Sequence, residues 1–177
     1  MHSPTRFGTG LSTAVIFTMK SLAPVILTAL FSVAASASVR ATDCPSPYEP
    51  LDETRCIFVD AYVAYTWQDT VDLCKTHGGE ILTIEDCETF ALVYDYVRSQ
   101  DVTKGKHYWL GATDEEEEGT WKYVNNRPIP MGVPFWSKNE PNSGNTYNCA
   151  IMHASINHYW SDIPCGNKYN PICLKNY

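Results

Sequence analysis

Apolar and polar residues change rhythm along this chain, and each change marks a different element. An apolar run over 22–33 follows Met19-Lys20 and closes on Ala34-Ala35-Ser36-Ala37. Over 56–63 the residues are mostly β-branched or aromatic, which predicts a strand. Trp67, Val71 and Cys74 then share one helical face. Thr66 precedes them as an N-cap with Asp69 three residues on, and Gly78-Gly79 ends the helix. Ile81, Leu82 and Ile84 lead into a second helix from about Asp86, in which Phe90, Val93, Tyr94 and Val97 recur at helical spacing and bury one side. Past Gly105 the pattern breaks into short strands, 107–113, 120–124, 148–154 and 171–176, separated by Gly, Pro and Asn. Two helices followed by a strand-and-loop region make an α+β domain. The stretch 125–147 is long for a loop without regular structure, and such loops are commonly functional or disordered. The tryptophans and Cys149 around it argue against disorder.

The N-terminal run has the parts of a secretory signal: a basic start, an apolar core of about ten residues and Ala35-Ser36-Ala37 as an Ala-x-Ala cleavage site. The expected leader is 1–37, with Met19 as the working start codon. The alternative is an uncleaved anchor with 1–20 as a cytoplasmic tail. Only a few residues separate the run from Cys44, so an anchored domain would have no stalk. A secreted, extracellular protein without stable membrane insertion is the simpler expectation. The net charge of -7 is spread out except at 114–118, and no basic stripe offers a footprint for a phosphate backbone, which excludes nucleic acid as a partner. Eleven tyrosines and five tryptophans point to a packed domain. The cysteines fall at 44, 56, 74, 87, 149, 165 and 173 with no C-x-x-C pair. Oxidising surroundings make disulfides the default, although spacing alone leaves the pairing open.

Candidate chemistry concentrates in 136–165. Trp136 and Glu140-Pro141-Asn142 open this span, and Trp160-Ser161-Asp162 closes it just before Cys165. A hard cation such as calcium takes about six to eight oxygens from carboxylates, amide and backbone carbonyls and water. Glu140, Asn142 and Asp162 are the right types; the plainer reading is an ordinary polar loop. An X-Pro bond adopts cis at little cost, and a cis Glu140-Pro141 bond would aim the flanking carbonyls at one ion. Ser161, His158 and Asp162 are the residue types of a hydrolase triad. Close spacing in a loop does not supply the required geometry, and no nucleophile-elbow motif is present, so the chain is not read as an enzyme.

In order and spacing, Cys74 with Gly78-Gly79, Trp109-Leu110-Gly111, Trp136 before Glu140-Pro141-Asn142, and Trp160-Ser161-Asp162 before Cys165 resemble the C-type lectin-like domain in its long form. The resemblance covers the exported chain, 44–176. It implies two helices flanking two small antiparallel sheets, a long calcium- and sugar-binding loop, and the pairs Cys44–Cys56, Cys74–Cys173 and Cys149–Cys165. Cys87 is then left over, as an interchain link in a homodimer or a free thiol, buried and inert. The resemblance further implies a Ca2+ held by Glu140, Asn142, Ser161 and Asp162, and sugar contacts from Glu140, Asn142, Tyr147, Ser161 and Asp162. Glu-Pro-Asn in that family implies mannose-type glycans. By analogy with secreted members, the ligand is a microbial surface polysaccharide and the setting innate immunity. Two positions depart from the family pattern: Tyr147 stands where a Glu is usual and Ser161 where an Asn is usual. Carboxylates corresponding to Asp114 and Glu118 hold an auxiliary calcium in the family, and the remaining positions carry Ser143, Tyr147 and Asn148. Taken alone, 114–118 reads as a solvated acidic turn. The rival function is a lectin-like domain with a degenerate calcium site that binds a protein or other ligand without calcium.

Overall fold

The computed structural model describes residues 44–130, 132, 134–142 and 144–176. The expected leader 1–37 and Ser143 lie outside them. One antiparallel sheet has the order β1 (Glu49–Pro50), β2 (Arg55–Val59), β8 (Ile172–Asn176) and β3 (Glu80–Ile81). The other has the order β5 (Lys122–Tyr123), β4 (Tyr108–Thr113), β6 (Cys149–His153) and β7 (Tyr159–Ile163). Helices α1 (Trp67–Thr76) and α2 (Cys87–Arg98) complete the expected α+β architecture. Among the described residues, no helix is long and apolar enough to cross a membrane.

Both helices begin where the sequence places them. The Thr66 side chain accepts from the Asp69 amide and the Asp86 side chain from the Thr89 amide, each cap contributing roughly 1 kcal/mol. Gly78 ends α1 in the left-handed region, φ +72°, where a residue without Cβ pays no steric cost. The strand expected over 56–63 stops at Val59. Asp60 Oδ1 accepts from the amides of Tyr62 and Val63 at 2.8 and 3.1 Å, and this local turn withdraws those groups from a sheet ladder.

The central sheet is buried on both faces, so β4 and β6 read as nearly continuous apolar runs rather than alternating ones. Leu110, Ala112, Ala150, Met152 and Trp160 pack with Val93 and Val97 of α2. Trp109 and Ile151 pack on the other side with Trp67, Val71 and Cys74 of α1. Gly111 is required where β4 passes β3. A Cβ there would stand 2.7 Å from Ile81 Cγ2 and 3.3 Å from the Ile81 and Leu82 carbonyl oxygens. Gly111→Ala is therefore expected to cost about 1–3 kcal/mol, read as a fall in the urea midpoint; an unchanged midpoint would mean that the two strands separate freely.

The disulfides are Cys44–Cys56, Cys74–Cys173 and Cys149–Cys165, the pairing that the resemblance implied. They tie the β1–β2 hairpin, α1 to β8, and the mouth of the β6–β7 pair. Cys87 is free and exposed. The buried, inert reading of that thiol is corrected: Cys87 is the first residue of α2, beyond the apolar face formed by Val93 and Val97.

Candidate functional site

β7 is the platform of the site. It pairs with β6 in unbroken register from Cys149↔Ile163 to His153↔Tyr159, and the long loop is fastened along its other edge. The Trp160 amide donates to the Phe135 carbonyl at 2.8 Å and the Ser137 amide to the Trp160 carbonyl at 2.9 Å. Aromatic packing holds this junction. Trp136 meets Trp121 and Trp160 edge-on, with centroids 4.9 and 5.5 Å apart, and Phe135 stacks on Phe90 of α2 at 4.8 Å.

From that anchor the chain turns tightly. The Glu140 amide donates to the Ser137 carbonyl at 3.0 Å, Asn139 adopts φ +70°, and the Glu140-Pro141 bond is cis. The Asn142 amide then donates to Asp162 Oδ2 at 3.3 Å, and Asn142 Nδ2 donates to Glu140 Oε1 at 3.0 Å. Glu140, Asn142 and Asp162, separated by up to 22 positions in sequence (162 − 140), thus meet at one place.

The electrostatics there are strained. The Glu140 carboxyl is pushed up to about 7, first by burial and then by the neighbouring Asp162 carboxyl group, while the Asp162 backbone amide and then the Asn142 side chain oppose the rise. Its Oε2 is buried with no donor. Asp114 is raised too, by burial first, with the Asp162 charge adding and the bond from the Gly119 amide opposing. Asp114 Oδ1 and Asn148 Oδ1 are likewise buried without a donor, and the Asp114 amide donates to the Asn148 carbonyl at 3.2 Å. Burying acceptors without donors costs free energy, and a hard cation is what such oxygens suit. These residues therefore fit calcium in donor type. Carboxylates alone do not make the cage: among the described residues, no group of three or more His, Cys, Asp or Glu could hold a metal. The remaining oxygens must come from amides, backbone, water or the ligand.

Other expected members stand apart. Glu118 is exposed. Tyr147 is half-buried, and its amide donates to the Gly144 carbonyl at 2.9 Å. Ser161 is not brought to the set. Side chains alternate along a strand, so Trp160 and Asp162 share one face of β7 and Ser161 takes the other, with its Oγ 3.2 Å from His153 Nδ1. The metal and sugar roles expected of Ser161 thus have no side-chain geometry behind them here. The hydrolase grouping is not assembled either, since His158 Nε2 lies against the Lys106 carbonyl at 3.1 Å. His153 was not singled out from the sequence. The alternation starting at Trp160 would have turned Ser161 toward it.

The Lectin C-type domain profile matches residues 63–175. This chain belongs to the C-type lectin domain family. Among relatives of this C-type lectin domain, the perlucin-like protein of Mytilus galloprovincialis is 30% identical over 136 residues, covering 76% of this chain and 85% of its own. Human CD209 antigen is 26% identical over 134 residues, and the match spans only 31% of that longer protein. Solved structures share the fold. The C-type lectin domain of murine dendritic cell inhibitory receptor 2, in complex with an N-glycan, aligns with TM-score 0.65 at 21% identity, over 76% of this chain and 99% of that one. A calcium-independent type II antifreeze protein aligns with TM-score 0.63 at 26% identity, over 75% and 94%.

Proposed function

We propose that this protein is a secreted, calcium-dependent lectin for mannose-type glycans, acting on microbial surface polysaccharide in innate defence. The observation that carries this reading is the convergence of Glu140, Asn142 and Asp162 at one place, where Glu140 Oε2 is buried without a donor. Calcium, when bound, supplies a positive centre for the lone pairs of two neighbouring sugar hydroxyls. The protein's own groups fix which hydroxyl directions fit. Carboxylates only accept hydrogen bonds and the Asn142 Nδ2 only donates them, so a diol that replaces the Glu140–Asn142 bond must donate to one and accept from the other. Asp114 and Asn148, whose buried Oδ1 atoms lack donors, would hold an auxiliary calcium on the same logic, with exposed Glu118 outside that pair. Exposed Cys87 offers an interchain link, and pairing two weak sites raises avidity on a repetitive surface.

A second reading has specific support: a lectin-like domain with a degenerate site that binds without calcium. Ser161 faces His153, Tyr147 supplies a phenol in place of a carboxylate, and one structural neighbour is described as calcium-independent. Immobilised mannose separates the readings. Retention in calcium that a chelator releases supports the lectin, whereas absent or chelator-indifferent retention supports the second reading. Acid should mimic the chelator. With Glu140 raised to about 7, a proton competes with the ion at that carboxylate, and calcium affinity should fall roughly tenfold per pH unit below ~7. Retention unchanged from pH 8 to about 4 would contradict this.

A further inference from the structure

At the far end of the β6–β7 hairpin, away from Asp162, sits a buried titratable side chain that sugar binding does not use. His158 is 0% exposed. Its Nε2 lies 3.1 Å from the Lys106 carbonyl, so it carries the proton and donates. Its Nδ1 is buried with no partner among the described residues. The backbone is unusual too: Asn157 and His158 both lie in the left-handed region, at φ 58° and 59°. Non-glycine residues are held there only when their surroundings over-determine them. Those surroundings are the Tyr108 ring, stacked at 6.1 Å, the Tyr94 ring, edge-on at 6.4 Å, and the bond from the His158 amide to the His153 carbonyl at 2.9 Å.

A second histidine closes the same end. The Ala154 amide donates to His107 Nδ1 at 3.2 Å, so the neutral ring must keep Nδ1 bare. Protonation there would set two hydrogens against each other. The His107 ring faces His153 at 4.5 Å and Tyr169 at 5.4 Å. Among the described residues, no carboxylate acts on either histidine to receive its charge. The charged groups acting on His158 are Arg98 of α2, which lies over the Tyr94 ring, and His153; those acting on His107 are His153 and His158. Burial opposes a positive ring most and these charges add to it, while the Lys106 carbonyl that accepts from His158 Nε2 works the other way; on balance both histidines are held below their ordinary value.

We propose that His107 and His158 form an acid-sensitive latch, which pins the turn of the β6–β7 hairpin to the 106–107 segment while both rings are neutral and frees that end when they take up protons. The latch is independent of the sugar reading. The sign follows from linkage. An opened hairpin exposes histidines that bind protons at about 6.5, whereas the closed form refuses them until lower pH, so closure is fully favoured above ~6.5 and weakens as pH falls below it. Each histidine should raise the opening constant up to about tenfold per pH unit in that window.

The test is amide hydrogen exchange on the intact domain in chelator at pH 7.5, 6.5 and 5.5, corrected for the intrinsic pH dependence of exchange. Protection at Ala154 and Asn170, whose amides reach His107, and at His158, whose amide closes the turn on the His153 carbonyl, should drop tenfold or more from pH 6.5 to 5.5. In the double variant His107→Gln, His158→Phe the profile should be flat. An equal drop in the double variant, or none in the wild type, overturns the proposal. Glu140 is common to both proteins, so its own titration cancels. Should the variant fail to fold, ring NMR of the wild type decides: His158 and His107 still neutral at pH 6 supports the latch, and titration at about 6.5 overturns it.

Discussion

Replacing Glu140 with Gln should weaken calcium binding at least tenfold, about 1.4 kcal/mol, and abolish chelator-sensitive retention on mannose. Extracellular calcium modules bind with Kd of roughly 10⁻⁴ to 10⁻³ M, so a site short of donors has little affinity to lose. The same substitution should act in the opposite sense without metal. The Glu140 carboxyl is raised to about 7 by burial and by Asp162. A raised carboxyl stabilises the fold below its unfolded value, near 4.5, and loses that contribution as pH rises through about 7. At pH 8 in chelator the wild type bears this buried charge and Glu140→Gln does not, so the variant should melt higher. In saturating calcium the order should reverse. Thermal unfolding in both conditions reads the crossing. A variant less stable than wild type in chelator would mean that Glu140 is held by donors rather than crowded by Asp162.

Trp160→Ala should be the most damaging single substitution, at about 3–5 kcal/mol in urea unfolding. Trp160 is 0% exposed and touches Phe135 and Trp136 with its ring while its backbone bonds to the same loop. Its loss removes core volume and the anchor of the 135–142 segment together, so calcium binding should fall with stability. A loss below about 1 kcal/mol would show that the loop holds itself.

Much of this fold is legible in the sequence because local signals and long-range packing agree. Thr66 and Asp86 cap helices whose apolar faces recur at helical spacing, and the central strands are apolar because both faces are covered. The family resemblance supplied what spacing could not, the disulfide pairing. β7 was hidden: in Trp160-Ser161-Asp162 one face meets the loop aromatics and carries a carboxylate while the other meets His153, so polar and apolar residues do not alternate. The two-residue strands β1 and β3 are too short to leave a period. The meeting of Glu140, Asn142 and Asp162 was expected from residue types, but the crowding that raises Glu140 depends on burial, which no local pattern encodes. The turning of Ser161 away was legible in principle, from strand alternation, once a strand was assigned there.

Thermal unfolding during a calcium titration at pH 8 tests most directly whether the oxygens of Glu140, Asn142 and Asp162, gathered at one place, bind calcium. Binding to the folded state alone should raise stability by about 2.7 kcal/mol at a hundredfold excess over Kd. The melting temperature should therefore climb through the millimolar range and return on chelation. A melting temperature that stays flat to about 10 mM calcium, some tenfold above the weakest Kd such modules show, would contradict calcium binding there.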